Sequence, residues 1–439
     1  MTGSVSQPTT ACRVGWFRWV ICIMLFLATT INYMDRQVIS ILKPTLMSDI
    51  GWNEIDYSNV VFAFQAAYAV GYGGGGWFMD RVGTRFGYAV AVLVWSLAAM
   101  GHAFVRTVAG FSAARLVLGL AEGGNFPVAV KTVSEWFPKR ERALAAGIFN
   151  SGTNVAVVLT PLFVPWLTWH WGWPTAFFVT GALGLAWLVL WTLLYRSPQV
   201  HPCVSAAELA HIQSDPPDPE IRIPWLELLR HRQTWVFTAG ITLTAPVWWF
   251  YLFWVPGFLH DRHGLELTKF GPTLITIYLI ADAGSIAGGW LSSRLLKRGW
   301  SPNAARKTAL LVCALFAVPV FAAASATNLW AVTVLIGLAA AAHQGFIANL
   351  YALVSDTAPR RVVSSIVGIG GAASAVAGMC AAKATGYVLQ WTGSYVLLFG
   401  AASVAYLLAL LVMHLINPRH EPMNLAAVNA KNDVNARGQ

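Results

Sequence analysis

The sequence predicts an all-α membrane protein in which twelve transmembrane helices form two pseudo-symmetric six-helix bundles. Three observations predict this fold class. The 439-residue chain is 56% hydrophobic and only 11% charged, whereas an ordinary soluble domain is about 25% charged. Twelve stretches are long and apolar enough to cross a bilayer, which takes about 20 residues. Basic residues concentrate in every second loop, as they do on the cytoplasmic side of membrane proteins.

The twelve predicted spans, numbered in chain order, cover most of the sequence. Polar backbone groups in lipid must be paired within the segment, so stretches of this length and composition form helices. The first is too long for a signal peptide and has no small-residue cleavage site after it. The spans are 17–42, 57–79, 86–106, 109–131, 142–165, 173–196, 234–259, 270–292, 307–325, 329–351, 362–390 and 393–416.

The positions of the 29 Lys and Arg residues predict the orientation. Three lie within spans, and the predicted outside loops hold only four: Lys43, Arg106, Arg262 and Lys269. The others fall in the alternate loops and the terminal segments, which places both termini in the cytoplasm. The same distribution accounts for the net charge of +10 without a nucleic-acid partner.

The longest loop divides the spans into two groups of six. It contains Ser-Asp-Pro-Pro-Asp-Pro at 214–219, a composition typical of a linker. We therefore expect an N-terminal bundle at 1–196, a cytoplasmic linker at 197–233, a C-terminal bundle at 234–418 and a cytoplasmic tail at 419–439. In a plan of this kind the substrate site lies near the membrane midplane, between the bundles.

Two short matches indicate that the halves are repeats. Gly75-Gly76-Trp77 near the end of span two recurs 213 residues later as Gly288-Gly289-Trp290. Pro138-Lys139-Arg140 before span five recurs 221 residues later as Pro359-Arg360-Arg361.

Other function classes find little support in the sequence. The five cysteines are scattered, without disulfide or metal spacing, and we interpret them as free thiols. No metal cluster, nucleophile–base pair or nucleotide-binding loop is present, so we expect no enzyme and no cofactor. A membrane sensor built on the same fold would need an added signalling domain, for which the linker and tail are too short.

Placing a charged residue within a membrane span costs free energy, so the charged residues in the predicted spans are candidates for a functional role. Arg115 and Glu122 of span four are two helical turns apart and share a face. Two arginines and two carboxylates can form alternative ion pairs, an arginine can bind a substrate carboxylate, and a buried carboxylate can carry a proton. Ion pairs that only hold spans one and four together are the structural alternative. The charged residues are Asp35 and Arg36 in span one, Arg115 and Glu122 in span four, Asp282 in span eight and Lys383 in span eleven.

The roles of Asp282 and Lys383 stay open. Asp282 could titrate or form an internal pair, and Lys383 could attract an anion or extend to the interface.

Uncharged polar groups within spans are candidate substrate contacts. Asn150 and Asn154 lie one turn apart on one face of span five, and amides both donate to and accept from hydroxyls. His343, Gln344 and Asn349 lie in span ten. Each of these side chains could instead join helices to one another.

An aromatic run, Trp248 to Trp254, marks span seven. Aromatic faces pack against the C–H surfaces of sugar rings, whereas an interfacial belt is the structural alternative. Tyr251 and Trp254 share a face and are our candidates in this run, with Tyr68 of span two as a further one.

Residues 76–85, Gly-Trp-Phe-Met-Asp-Arg-Val-Gly-Thr-Arg, resemble the loop signature of the major facilitator superfamily, from which they depart only in Phe78. The resemblance implies a gating role, outside the substrate site, for Gly76, Asp80, Arg81, Gly83 and Arg85.

Further blocks resemble the anion:cation symporter family, especially its hexuronate transporters. They are Asn32–Val38, Glu122–Pro127, Glu135–Ala143, Phe149–Asn154 and Ser355–Arg361. The resemblance implies that Arg36 and Tyr68 bind the substrate carboxylate. It implies that Asp35 and Glu122 couple protons and that Arg115 is the switching partner of Glu122. Thr153 stands where galactonate-type relatives have glutamine, so Asn154 is our candidate there, and Gly370 and Gly371 stand where relatives have asparagine.

Together these observations predict a bacterial inner-membrane carrier, functional as a monomer, that imports a hexuronate with protons by alternating access. Its partners are then a small organic anion and the lipid bilayer, and the proton is co-transported. An aldonate, glucarate or aromatic acid is the alternative substrate.

Overall fold

The computed structural model describes residues 15–214, 225–358, 360–419, 421 and 423, without the side chains of a few helical residues such as Gly76 and Asp80. These residues form α-helices joined by turns and short 3₁₀ segments, with no strand among them. The helices are α1 Phe17–Ile41, α2 Lys43–Ile50, α3 Glu54–Val82, α4 Thr84–Gly101, α5 Val108–Glu122, α6 Asn125–Trp136, α7 Lys139–Trp171, α8 Trp173–Leu194, α9 Ala206–Ile212, α10 Trp225–Leu228, α11 Arg232–His263, α12 Phe270–Lys297, α13 Pro302–Ala317, α14 Leu329–Thr357, α15 Arg360–Thr392 and α16 Val396–Ile416.

Helices occupy all twelve predicted spans, which confirms the all-α membrane fold. Within the described residues, ten helical segments are long and apolar enough to cross a bilayer on their own. The other two predicted spans correspond to α3 and to the pair α5–α6. The sequence predicts one continuous helix at 109–131, but the chain breaks at Gly123-Gly124, directly after Glu122.

The helices pack in two groups. In the first group, α1 packs on α7, α3 packs on α5 and α4 packs on α8. In the second group, α11 packs on α15, while both α12 and α13 pack on α14. The groups meet where α3 faces α15, α7 faces α12 and α1 faces α11. The exact bundle limits at 196 and 234 stay a prediction.

Glycine contacts repeat between the two groups at the offsets of the sequence matches. A Cβ on Gly75 would lie 2.8 Å from Cα of Gly124, and a Cβ on Gly288 would lie 2.6 Å from Cα of Gly345. Gly75 and Gly288 are 213 residues apart, and Gly124 and Gly345 are 221 apart. Small residues let these helices approach closely, so the repeat extends from sequence to packing.

The described part of the linker is attached to the first group of helices. The carboxylate of Glu208 in α9 accepts from the backbone N–H of Arg18 at 3.1 Å, and the Arg18 guanidinium also donates to Glu141 at 2.9 Å. His211 of α9 lies 2.8 Å from the other oxygen of Glu141. These contacts hold α9 against the ends of α1 and α7.

The two groups are joined at one end, which we call the outer end because the charge distribution predicts that it faces outside. The Tyr57 hydroxyl in α3 donates to the Phe253 carbonyl in α11 at 2.8 Å. The Glu54 backbone N–H donates to the Gln390 amide oxygen in α15 at 3.2 Å, and the Lys383 ammonium group donates to Asn59.

Lys43 lies at the same end but is not the loop residue that the sequence suggested. Its side chain is buried, since α2 packs against α11, and its ammonium group lies 2.6 Å from the Glu54 carboxylate. The Lys43 chain also fills the space beside Gly257 of α11.

The outer end leaves no room for a side chain at Gly386. A Cβ there would lie 2.3 Å from Cβ of Ser58 across the α3–α15 contact. We expect Gly386→Val to prevent the outer end from closing. In the carrier that the sequence predicts, this change should lower substrate uptake at least tenfold and increase labelling of a Val157→Cys variant by an external, membrane-impermeant maleimide. Gly101→Val is the matched control, because an added Cβ there meets nothing within 4 Å. Unchanged uptake by Gly386→Val would contradict the assignment of this contact to closure.

Candidate functional site

A cavity of about 170 Å³ lies between the two groups, near the middle of the spans, and we call it the central cavity. Five helices contribute to it, and its lining is largely polar and aromatic. The lining residues are Tyr33, Asn150, Thr153, Asn154, Val157, Trp248, Tyr278, Ala281, Asp282 and Gln344. The outer-end contacts lie above it, while Asn150 on its inner side is exposed.

A buried ion pair lies beside this cavity. Arg36 is 1% exposed and Glu122 is 0% exposed. The guanidinium Nε and Nη2 donate to one oxygen of Glu122 at 3.3 and 3.2 Å, and Nη2 also donates to the Asn32 amide oxygen at 3.1 Å. The other oxygen of Glu122 has no hydrogen-bond partner among the described residues. A buried charge pair persists because each member would be costly alone.

Aromatic rings surround the Arg36 guanidinium group. Its carbon lies 4.5 Å from the ring centre of Tyr33, 4.6 Å from that of Tyr68 and 5.7 Å from that of Trp249. Cation–π attraction strengthens when the cation is shielded from water, as it is here. Since Tyr33 also lines the central cavity, Arg36 lies one aromatic ring away from it.

Asp35 and Arg115 complete the buried charges but do not form a direct pair. Within the described chain, neither oxygen of Asp35 and none of the three guanidinium nitrogens of Arg115 has a hydrogen-bond partner. The Arg115 guanidinium lies 5.5 Å from the Phe64 ring and interacts electrostatically with both Glu122 and Asp35. Among the described residues, Glu122 is therefore hydrogen-bonded to Arg36, whereas Arg115 interacts with the two carboxylates without a hydrogen bond. The predicted exchange of partners between the two arginines stays a prediction.

The predicted polar contacts divide into two sets. Asn150, Asn154 and Gln344 line the central cavity. The Asn349 amide nitrogen donates to the carbonyls of Gly288 and Gly345, both at 2.9 Å, and so joins α14 to α12. His343 is buried, with Nδ1 at 2.9 Å from the Tyr406 hydroxyl and its ring stacked on Trp248. The geometry of Asn349 and His343 matches the packing alternative, and their contact with substrate stays a prediction.

The structure does not bring Tyr251 and Trp254 to the central cavity. Trp254 packs edge-on against Tyr57 near the outer end, and Tyr251 is buried beside Phe250. The cavity is instead lined by Trp248, and Trp249 contacts Arg36. The aromatic run reaches the cavity through Trp248, but the sequence did not indicate which face of the helix does so, because every residue from 248 to 251 is aromatic.

The sequence does not identify three further residues of the cavity lining as candidates. Tyr33 lies inside the block Asn32–Val38, in which only the charged residues were predicted to have a functional role. Thr153 is distinguished in the sequence only as a departure from the galactonate-type relatives. Tyr278 had no distinguishing feature, because a tyrosine in an apolar span is common. Asp282, for which the sequence allows two roles, also lines the cavity.

The predicted gating residues lie at the inner end, away from the central cavity. Gly83 joins α3 to α4 with φ +82°, a conformation that favours glycine. The Arg85 guanidinium donates to the Thr192 carbonyl in α8 at 2.7 Å. The side chain of Asp80 and the surroundings of Gly76 lie outside the described residues. Arg81 is the remaining residue of the predicted gating motif.

A larger cavity, about 760 Å³, lies beside this motif. Its lining comes from Val82 to Phe86, Glu135 and Tyr195 to Val200, all in the first group of helices and its linker. A site between the two groups has access to both sides in turn, so we take the smaller central cavity as the candidate substrate site.

The chain also resembles known proteins over most of its length. It is 30% identical to the D-galactonate transporter of Escherichia coli O6:H1 over 92% of this chain and 96% of that one. It is 31% identical to a probable galactarate/D-glucarate transporter of Bacillus subtilis (94% and 95%) and 28% identical to the hexuronate transporter of Escherichia coli K12 (91% and 94%).

A solved structure has the same fold. A bacterial homologue of the human lysosomal transporter Spinster, in an inward-facing and occupied conformation, superposes with a TM-score of 0.70 at 18% identity, covering 91% of this chain and 94% of that one. The sequence profile of the Major Facilitator Superfamily matches residues 25–304. The chain is therefore an all-α, multi-pass membrane transporter, not an enzyme, and it belongs to the Major Facilitator Superfamily.

Proposed function

We propose that the protein imports a sugar acid, specifically a hexuronate such as glucuronate or galacturonate, together with protons. The observation that carries this proposal is the buried Arg36–Glu122 pair beside the central cavity. An arginine fork suits a carboxylate, and here it is occupied by a carboxylate that can be neutralised by a proton. Protonation of Glu122 weakens the pair and frees Arg36 for the substrate.

The cavity lining supports a polyhydroxylated substrate. The amides of Asn150, Asn154 and Gln344 and the hydroxyl of Thr153 donate and accept hydrogen bonds, which suits sugar hydroxyls. The Trp248 ring offers an apolar face for the C–H surface of a sugar. The relatives named for galactonate, glucarate and hexuronate transport are consistent with this substrate class.

Transport follows from exchange between two conformations. The outward-open protein takes up a proton on Glu122 or Asp35, and Arg36 then binds the substrate carboxylate. The outer end closes through the contacts of Tyr57, Glu54 and Lys383, and the cavity opens to the inner side. Proton and anion strengthen each other's binding, as thermodynamic linkage requires.

The setting of this activity is part of the proposal. We place the protein in a bacterial inner membrane as a monomer, with both ends in the cytoplasm, in line with the distribution of basic loops. The proton is co-transported, and no other cofactor is needed.

The first test is uptake of labelled glucuronate by cells that lack their own carrier and express the full chain. We expect saturable uptake whose uphill component disappears when a protonophore collapses the proton gradient. Cells carrying the empty vector are the control. Absence of saturable uptake, in cells shown to contain the protein, would exclude a hexuronate as substrate. A panel of labelled organic acids would then follow.

Import of an aldonate is the second candidate function, because the D-galactonate transporter is similar over nearly the whole chain. Competition of labelled uptake by unlabelled galactonate distinguishes the two, since the better substrate inhibits at the lower concentration.

A further inference from the structure

Asp282 has no role in the transport cycle proposed above. It lies on α12, one helical turn after Tyr278, and it is partly exposed to the central cavity. Among the described residues it forms no ion pair and no hydrogen bond. An unpaired carboxylate facing a cavity between membrane helices is costly to keep and is a functional candidate by default.

The charges around the central cavity are arranged asymmetrically. On one side Tyr33 and Arg36 belong to α1, in the first group of helices, and Arg36 contacts the Tyr33 ring. On the other side Asp282 belongs to α12, in the second group. The described lining contains no Lys or Arg and no acidic residue other than Asp282. A molecule in this cavity therefore has the Arg36 guanidinium group behind the Tyr33 ring of α1 and the Asp282 carboxylate on α12.

Lys383 does not offset Asp282. Its ammonium group donates to Asn59 and lies over the Phe62 ring at 5.2 Å, at the outer-end contact between α3 and α15. A second carboxylate on the substrate would thus reach the Asp282 side without a cation to receive it. Like charges brought together in a shielded site repel strongly, and this repulsion discriminates between ligands.

We infer that Asp282 makes the central cavity selective for sugar acids that carry one carboxylate and rejects aldarates, which carry two. Asp282 accepts hydrogen bonds from hydroxyls at the uncharged end of the substrate and repels a carboxylate at that position. The inference rests on the proposed function, because it presupposes that a sugar acid binds in this cavity with its carboxylate toward Arg36.

Gluconate and glucarate are matched probes for this inference. Both are open chains with the same hydroxyl stereochemistry, and they differ at one end, where gluconate has a hydroxyl and glucarate a carboxylate. Competition is measured against uptake of labelled glucuronate in cells that express the full chain. We expect gluconate to inhibit wild-type uptake at a concentration at least about tenfold below that needed for glucarate.

Variants of Asp282 provide the decisive comparison. Asp282→Asn keeps the size and removes the charge, so we expect the preference for gluconate over glucarate to fall at least tenfold. Asp282→Glu restores the charge and should keep the wild-type preference. Glu266→Gln removes an exposed carboxylate outside this cavity, and its preference should also be unchanged.

The outcomes separate the inference from the proposed function. Absence of any sugar-acid uptake by wild-type protein overturns the proposed function. Saturable uptake with a preference for glucarate, or an unchanged preference in Asp282→Asn, overturns the inference alone. If Asp282→Asn transports nothing, binding of gluconate and glucarate to the purified variant is measured by calorimetry. The inference then requires the preference for gluconate over glucarate, measured as the ratio of binding affinities, to fall at least tenfold.

Discussion

Replacing Arg36 with Lys is expected to lower sugar-acid uptake by about a hundredfold. Lysine keeps the positive charge but lacks the planar fork that binds a carboxylate through two hydrogen bonds. Arg36 also donates to Glu122 and Asn32 and lies between aromatic rings, so the shorter, point-like ammonium group leaves buried acceptors unpaired. Disrupting a buried charge pair costs about 2–5 kcal/mol, and 1.4 kcal/mol is a tenfold effect.

The control for this prediction is Arg262→Lys. Arg262 is exposed near the outer end of α11, and the same substitution there should leave uptake within about twofold of wild type, as for other surface changes. Folding of both variants is checked by size-exclusion chromatography of the detergent-solubilised protein. Uptake by Arg36→Lys within threefold of wild type would rule out Arg36 as the carboxylate-binding residue.

Replacing Glu122 with Gln is expected to separate transport from the proton gradient. Glutamine resembles a permanently protonated glutamate, so Arg36 stays available to the substrate at any pH. Uphill accumulation of labelled glucuronate should fall to the level reached with a protonophore. Exchange of labelled for unlabelled substrate across the membrane should continue at a rate within about tenfold of wild type, because exchange needs no net proton movement.

Glu266→Gln is the matched control for Glu122. Glu266 is exposed near the outer end, where its carboxylate lies 3.0 Å from the Lys269 ammonium group. This exposed ion pair contributes little to the stability of the protein, so the variant should accumulate substrate like wild type. Asp35→Asn is examined beside them, since Asp35 is the other buried carboxylate in this region. Full accumulation by both Glu122→Gln and Asp35→Asn would show that neither residue couples protons.

The fold could be predicted from the sequence because a helix that crosses a bilayer must be both apolar and about 20 residues long. All twelve predicted spans are helical, including α3, whose glycines make it less apolar. The break at Gly123-Gly124 was not predicted, because glycine also occurs within membrane helices where neighbours pack closely. Here Gly123 packs against the α3 backbone, where a Cβ would lie 2.5 Å from the Tyr72 nitrogen.

The candidate site followed only in part. The sequence identified four charged residues in spans one and four, but their pairing depends on how α1 and α5 are placed. Glu122 shares a face with Arg115 on one helix, yet it pairs with Arg36 on another. The aromatic run has the same limitation, because its contacts depend on how α11 is rotated about its own axis. A continuous aromatic stretch has no polar face that would show which side points to the cavity.

The outer-end contacts have a consequence for the free-energy balance of the carrier. A transporter turns over well only when its two conformations differ by a few kcal/mol, so that neither holds nearly all the molecules. Each hydrogen bond made by Tyr57, Glu54 or Lys383 adds roughly 0.5–1.5 kcal/mol to one conformation. Interactions of similar strength must stabilise the other. Sequence changes at the outer end, far from any bound substrate, therefore tune apparent affinity by changing how often the binding-competent conformation is populated.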